Sequence, residues 1–187
     1  MRQAVRWLAA VALTACLAAG CGSSGGSAKP STTTAASATD ASPVTTRDEL
    51  KDQILADYRK ANNAYYDAIS IGDPNLPSIE ATHTGQNLWS LRKYLTDLFA
   101  KGQRGKDGPH SRDTSRAVVQ QVLEGKAIVQ DCRIDDGVIV DSRTGAVIDA
   151  DVVTKLLRFE LSRVGEVWRV SSGVERSRWD GINGCAA

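Results

Sequence analysis

The stretch VTKLLRFELSRVGEVWRV, residues 153–170, decides the fold class. Every second side chain from Leu157 to Leu161 is large and apolar, whereas the two residues between them are charged. Alternation with a period of two is typical of a strand that buries one face. Gly165 and Glu166 then favour a turn, and a second apolar run begins at Val167. The stretch therefore predicts an antiparallel hairpin with one face on a core.

Two more hairpins are predicted upstream of this one. SRAVVQQVLEGKAIVQDC, residues 115–132, alternates on either side of a turn at Glu124 and Gly125. GVIVDSRTGAVID, residues 137–149, has turn-forming residues around Thr144 and Gly145. Short strands separated by glycine-containing turns favour an antiparallel meander in the second half of the chain.

The first half of the chain predicts helices. TRDEL, residues 46–50, carries a capping box, with Thr46 as the cap and Glu49 three residues later. Apolar residues then recur at spacings of three and four, which is one face of a long helix that ends before GDP at 72–74. This stripe consists of Leu50, Ile54, Tyr58, Ala61, Tyr65 and Ala68.

A second helix follows after short helical turns within residues 76–85. Its stripe contains Leu88, Leu91, Leu95, Leu98 and Phe99, and Gly102 ends it. The glycine-rich and charged segment at 102–113 is predicted as a loop. Helices followed by an antiparallel meander define an α+β domain, with N-terminal helices packed on one face of an antiparallel sheet.

The N-terminus, residues 1–20, has the pattern of a secretory signal peptide. Arg2 and Arg6 precede the uncharged segment WLAAVALTACLAAG at 7–20. This segment is shorter than the roughly 20 residues that span a bilayer as a helix. A basic start, a short apolar core and a small-residue end are typical of secretory signals.

Residues 21–46 are predicted to form a disordered tether. After Cys21 they are rich in Gly, Ser and Thr, and Val44 is the one large aliphatic residue. A segment with so little to bury cannot offset its ordering entropy. Residues 47–187, about 140 in number, are then the size of one domain.

The balance of charged residues disfavours nucleic acids and anionic lipids as partners. The chain has 23 Lys and Arg against 22 Asp and Glu, a net charge of +1 at neutral pH, and no stripe of basic residues. Nucleic-acid binding is therefore not expected. Attraction to anionic lipid headgroups is expected to be weak.

The segment LAAGC, residues 17–21, resembles the end of a bacterial lipoprotein signal peptide. In that family a cysteine receives a diacylglyceryl group and becomes the first residue after cleavage. The resemblance implies lipidation at Cys21, a palmitate-type acyl anchor, and a location on the extracytoplasmic face of the cell membrane. Cys16 follows a rival box, LTAC, but would leave a shorter apolar core. Cys21 is therefore preferred.

The domain resembles the nuclear transport factor 2-like, SnoaL-like or cystatin-like fold, as found in actinobacterial lipoproteins. The resemblance spans 47–185 and is carried by YRKANNAYYDAI at 58–69, AIVQDC at 127–132, VIVDSRTG at 138–145 and VGEVWRV at 164–170. It implies a cone-shaped domain in which the N-terminal helices fill the concave side of a strongly curved antiparallel sheet. Relatives of this fold often pair through their sheets, which leaves a homodimer open. The fold alone does not define a chemistry.

The two remaining cysteines are expected to form a disulfide. Cys132 ends a predicted strand and Cys185 lies near the C-terminus. Outside the cytoplasm, a pair of thiols not needed for lipidation is most simply a disulfide. A redox-active pair is disfavoured because there is no C-x-x-C spacing.

No motif in the sequence assigns a catalytic residue, a metal ligand or a cofactor. Glu80 and His83 have half of a two-metal helix motif, but the other half is missing, and His110 is expected to be exposed. Asp131, Asp135, Asp136 and Asp141 lack the spacing of a calcium loop. The sequence contains no nucleophile elbow and no phosphate-binding glycine loop.

Two functions remain from different classes. The first is a non-catalytic module that binds an apolar ligand or an envelope protein. Its expected pocket is lined by Tyr58, Tyr65, Trp89, Phe99 and Trp168. The second is a small ketosteroid-isomerase-like or polyketide-cyclase-like enzyme, in which Asp131 would act beside Tyr58 and Tyr65. The first is preferred. A ligand-binding domain should contain a cavity of several hundred Å³, and an enzyme should place a carboxylate inside it.

Overall fold

The structure, a computed structural model, describes residues 46–112 and 114–185. The predicted signal peptide and, apart from Thr46, the predicted tether lie outside these residues. The helices are α1 (Arg47–Ile71), α2 (Pro77–Thr82) and α3 (Gly85–Ala100). The strands are β1 (Gln103–Lys106), β2 (Arg116–Leu123), β3 (Lys126–Asp135), β4 (Val138–Asp141), β5 (Val147–Asp149), β6 (Val153–Val164) and β7 (Val167–Asp180). The described residues fall in one compact unit.

Helix α1 begins and ends where its sequence predicts. The Thr46 hydroxyl accepts a hydrogen bond from the Glu49 amide, and the Glu49 carboxylate accepts one from the Thr46 amide, which completes the capping box. At the other end Gly72 has a φ of 87°, a left-handed conformation that glycine adopts without a steric penalty.

The strands form two antiparallel sheets, which confirms the α+β class. The larger sheet has the order β2-β3-β6-β7 and the smaller one β1-β4-β5. The register pairs Asp131 of β3 with Leu157 of β6, and Leu157 with Glu175 of β7. These three side chains therefore lie on the same face of the sheet, and Arg133, two residues along β3, lies on it too.

Two details of the sequence interpretation are wrong. Residues Gln103–Lys106, predicted within a loop, form β1 and pair with β4. Strand β7 continues to Asp180, although its apolar run ends at Val170. Strands β1 and β7 lie at the edges of their sheets, and these segments are largely exposed. Their mostly polar residues pair with the neighbouring strand through the backbone, so no alternation of apolar residues reveals them.

The interior contains two apolar clusters that meet along α1. The sheet core lies between the first half of α1 and the larger sheet, with Ile54, Tyr58, Ala61, Val129 and Trp168 among its buried residues. The helix core lies between the second half of α1, α2 and α3. Its buried residues are Ala64, Ala68, Ile69, Ile79, Leu95 and Leu98.

Cys132, on the face of β3 opposite to Asp131 and Arg133, pairs with Cys185 of the C-terminal tail. The Sγ atoms of Cys132 and Cys185 lie 2.14 Å apart, at disulfide-bonding distance, with their Cα atoms 6.2 Å apart. This is the pairing expected from the sequence, and it ties the C-terminal tail to the larger sheet. No helix within the described residues is long and apolar enough to cross a membrane.

Candidate functional site

A partly open cavity of about 350 Å³ lies where the two cores meet. Helix α1 supplies one wall, α3 a second, and the inward face of the larger sheet the third. Five aromatic rings contribute to these walls: Tyr58, Tyr65, Tyr66, Tyr94 and Phe159. Aliphatic contributions come from Ala61, Leu91, Leu157 and Val170. An apolar wall with a few polar groups is typical of a small-molecule site.

Arg133 is one of the charged residues of the cavity wall. It is only 7% exposed and contributes to the cavity wall. One of its Nη2 protons is donated to the hydroxyl oxygen of Tyr58, and Nη1 donates to the Oδ1 atom of Asn62. Its Nη2 atom lies 2.9 Å from the Oδ2 atom of Asp131. We call these four residues the arginine cluster.

Asp131 is the counter-ion of the arginine cluster. Its side chain is fully buried and also accepts hydrogen bonds from the Tyr58 hydroxyl at 2.7 Å and the Ser115 hydroxyl at 2.9 Å. Three donors therefore stabilise the carboxylate, as a buried charge requires. Asp131 does not contribute to the cavity wall.

An aromatic platform supports the guanidinium. The Cζ atom of Arg133 lies 5.6 Å from the ring centroid of Phe159, within the range of a cation–π contact. The rings of Tyr58 and Phe159 are tilted by 50°, with centroids 5.2 Å apart. The opposite strand makes room for this ring, since a Cβ atom on Gly173 would lie 2.7 Å from the Cε1 atom of Phe159. Glycine is thus required at this position of β7.

Burial keeps the uncharged polar groups of the cavity neutral. It raises the pKa of Tyr58 and of Tyr65 well above the usual value for a phenol. Burial also lowers the pKa of His83 to about 4, although a hydrogen bond to the Ile79 carbonyl opposes the shift. Burial disfavours the charge of Arg133, but the oxygens of Tyr58 and Asp131 outweigh it, so the pKa of Arg133 is raised. At neutral pH Arg133 is therefore charged, and the tyrosines and His83 are not.

Two ion pairs contribute to the wall of the cavity. Lys155 donates to the Oδ2 atom of Asp135, and both contribute to the wall. Glu175 also contributes to the wall, and Arg178 donates to its two carboxylate oxygens at 2.9 Å each. Lys155 and Asp135 also line a neighbouring, more polar cavity of about 390 Å³.

The structure brings together some of the predicted pocket residues. Tyr58 and Tyr65 line the cavity, as predicted. Trp89 does not, because its side chain is 60% exposed on the outer side of α3. Phe99 packs against the helix core, and Trp168 is buried within the sheet core. The predicted pocket is therefore corrected at these three positions.

Several wall residues were missed. Arg133 and Tyr66 have no place in the predicted pocket, although Arg133 follows Asp131 by two residues on a predicted strand. His83 has no place in the predicted pocket either. It is 6% exposed, lines the cavity, and its Nδ1 atom lies 3.3 Å from the Ile79 carbonyl oxygen. His110, in contrast, is exposed as expected.

The arrangement is suited to holding a small molecule. A general base needs a carboxylate that can reach the substrate, and the carboxylate of Asp131 is enclosed by its three donors. Within residues 46–112 and 114–185, no group of three His, Cys, Asp or Glu side chains is placed to hold a metal ion. The aromatic walls remain available for binding.

Comparison with known proteins adds little to this geometry. No protein-family model and no curated protein matches the chain. Among solved structures, the crystal structure of the intermembrane space region of the chloroplast protein ARC6 is similar, with a TM-score of 0.46 and 15% sequence identity. The alignment covers 66% of this chain and 92% of that chain. A similarity this distant carries no functional argument.

Proposed function

We propose that this chain is a membrane-anchored extracytoplasmic lipoprotein whose folded domain binds a small apolar ligand without transforming it. The observation that carries the binding role is the cavity of about 350 Å³ with five aromatic rings in its walls. Its volume lies within the usual range for ligand sites. The resemblance of LAAGC at 17–21 to the end of a lipoprotein signal peptide supports the membrane anchor.

The two alternatives are less well supported. A domain that acts only as a protein-interaction module should be packed solid between helices and sheet, whereas this one contains a cavity. An isomerase-like enzyme should expose a carboxylate to its substrate. Asp131 is instead enclosed by Tyr58, Ser115 and Arg133. The carboxylates of Asp135 and Glu175 do line the wall, but each is held in an ion pair, with Lys155 and Arg178 respectively.

Native mass spectrometry of the full chain, purified from its membrane, tests the binding role. Wild-type protein should carry a copurified small molecule that is lost on denaturation. Leu157→Trp is the matched control, because Leu157 lies on the inward face of β6 and a larger ring there fills the cavity. The variant should retain its fold and lose the ligand. A bare wild-type chain, or the same ligand on both proteins, would contradict the binding role.

Metabolic labelling with a radioactive or alkyne-tagged palmitate tests the anchor. The wild-type chain should incorporate label and sediment with membranes, since two or more acyl chains give stable attachment. Cys21→Ser should abolish both results, whereas Cys16→Ser should retain them. Labelling that is lost only in Cys16→Ser would assign the lipid anchor to Cys16. The absence of labelling in the wild-type chain would overturn the proposal of a lipid anchor.

A further inference from the structure

His83 is fixed in the wall of the cavity by its backbone. It follows α2 directly and pairs with Val170 of β7 in a single parallel bridge, and the Thr84 amide donates to the Val170 carbonyl at 2.9 Å. Its side chain is 6% exposed and contributes to the cavity wall, as Val170 does. The imidazole therefore has a defined place beside any molecule that occupies the cavity.

The neighbours of the imidazole determine which of its nitrogens carries the proton. Burial lowers the pKa of His83 to about 4, so at neutral pH the ring is neutral and has one N–H. Its Nδ1 atom lies 3.3 Å from the Ile79 carbonyl oxygen and 3.0 Å from the Thr82 hydroxyl oxygen. A carbonyl can only accept, and the Thr82 hydroxyl already donates its proton to the Ser78 carbonyl at 2.6 Å. The proton is therefore on Nδ1, and Nε2 carries a lone pair.

The Nε2 atom of His83 is an acceptor without a partner among the described residues. Nδ1 is turned towards α2, and the two nitrogens of an imidazole point in widely different directions, so Nε2 points away from this helix. Completely enclosed side-chain nitrogens without a partner occur, within the described residues, at Arg92, Arg133, Trp168 and Arg169, and Nε2 of His83 is not one of them. Nε2 therefore retains accessible surface on a residue of the cavity wall.

We propose that the cavity binds an apolar or aromatic molecule with one hydroxyl group, which donates a hydrogen bond to the Nε2 atom of His83. This inference rests on the binding role proposed above and names the chemical class of the ligand. The five aromatic rings of the wall bury the body of the ligand. An acceptor that loses water without gaining a donor costs free energy, so a hydroxyl group is favoured over groups that cannot donate.

An ether or a hydrocarbon of the same size lacks this hydrogen bond. The ether oxygen carries only lone pairs and would face the lone pair of Nε2, whereas the hydrocarbon would leave Nε2 unpaired. Naphthylmethanol, methoxynaphthalene and ethylnaphthalene have equal numbers of non-hydrogen atoms and represent the three cases. We expect the hydrogen bond to contribute about fivefold to the affinity of the alcohol.

Isothermal titration calorimetry of the full chain in lipid nanodiscs measures this contribution, with the cavity-filled Leu157→Trp protein as the blank for partition into lipid. His83→Asn keeps an N–H near the position of Nδ1 and removes Nε2. Naphthylmethanol should lose about fivefold more affinity in this variant than the ether or the hydrocarbon loses. Each probe is compared with itself, so differences in hydrophobicity between the probes cancel. His110→Asn, the same exchange at the exposed histidine, is the control and should leave all three affinities unchanged.

NMR of the wild-type chain, labelled with nitrogen-15 in its histidines, observes the acceptor directly. The chain contains two histidines, so the spectrum of His110→Asn assigns the resonances of His83. In the free protein Nδ1 should be protonated and Nε2 should not. Naphthylmethanol should shift the Nε2 resonance to lower frequency, as expected for a lone pair that accepts a hydrogen bond, and methoxynaphthalene should not.

The outcomes separate the two proposals. If none of the probes binds better to wild type than to Leu157→Trp, both the binding role and the hydroxyl inference are overturned. If the probes bind but naphthylmethanol loses no more affinity in His83→Asn than the other two, only the hydroxyl inference is overturned. A proton on Nε2 in the free protein also overturns this inference alone. If His83→Asn does not fold, the wild-type spectrum decides, because an Nε2 resonance that naphthylmethanol leaves in place contradicts the hydrogen bond.

Discussion

The sheet core and the helix core differ in what they enclose. The sheet core encloses the arginine cluster, with Asp131 fully buried and Arg133 nearly so. The buried residues of the helix core are all aliphatic, and within α3 these are Leu95 and Leu98. The sheet core therefore depends on the pairing of specific charges, whereas the helix core depends on packing alone. The cavity lies where these two cores meet, with α3 as one of its walls.

The first and largest expected effect tests the charge pairing. Arg133→Leu leaves the Asp131 carboxylate buried without its counter-ion, so the free energy of unfolding should fall by about 3–5 kcal/mol. The double variant Asp131→Leu with Arg133→Leu should recover most of this loss, because no buried charge remains. Urea unfolding measures both. Arg158→Leu, on the exposed face, should change stability by less than about 0.5 kcal/mol. An equal loss of stability in Arg133→Leu and Arg158→Leu would show that the buried ion pair has no special role.

The second prediction tests whether the helix core opens by itself. Leu95 is fully buried, so Leu95→Ala should cost about 3 kcal/mol through lost contacts and a cavity. Hydrogen exchange should show the loss mainly in α3, because this helix buries few side chains. Val129→Ala, equally buried in the sheet core, should instead lower protection in all elements. Uniform loss in both variants would mean that the two cores unfold as one unit.

The smallest predicted effect concerns His83, which lies between the two cores. Its imidazole has a pKa of about 4 in the fold against 6.5 without burial, so the unfolded chain binds the extra proton between these values. Stability should therefore fall as pH falls, by about 2 kcal/mol between roughly pH 7 and pH 5. Urea midpoints across this range measure the slope.

His83→Gln is the matched variant for this slope. Glutamine does not titrate, so the part of the pH dependence that belongs to His83 should disappear while the contribution of the carboxylates stays. An unchanged slope in His83→Gln would show that other groups cause the acid sensitivity.

The sequence predicts most of the fold because its signals are local. The capping box at Thr46, the left-handed Gly72 and the strand alternation of 157–161 each act within a few residues. The curved α+β arrangement follows from them. Strand β1 was not predicted, because only Gly105 of its four residues is buried and a single glycine gives no hydrophobic periodicity.

The cavity was predictable only in part. Tyr58 and Tyr65 follow from the stripe of α1, and the enzyme alternative already placed Asp131 beside Tyr58. Arg133 was missed because a charged residue on a strand ordinarily faces solvent, and its burial depends on partners from α1 that are about 70 residues away.

Trp89 is an error of a different kind. It lies one position off the stripe formed by Leu88, Leu91 and Leu95, so helical periodicity alone places it outside the core. Trp89 was assigned to the pocket, whereas its angular position around the helix axis (its phase) predicts an exposed side chain. Phase is the better guide in this helix.

Gly173 has an evolutionary consequence. Any side chain at this position would collide with the ring of Phe159, and shrinking that ring would remove the surface on which Arg133 lies. Positions 159 and 173 should therefore change together across related genomes. A divergent sequence with an aromatic residue at 159, glycine at 173 and arginine at 133 would carry a three-position signature. That signature gives a way to collect relatives that overall identity is too low to find.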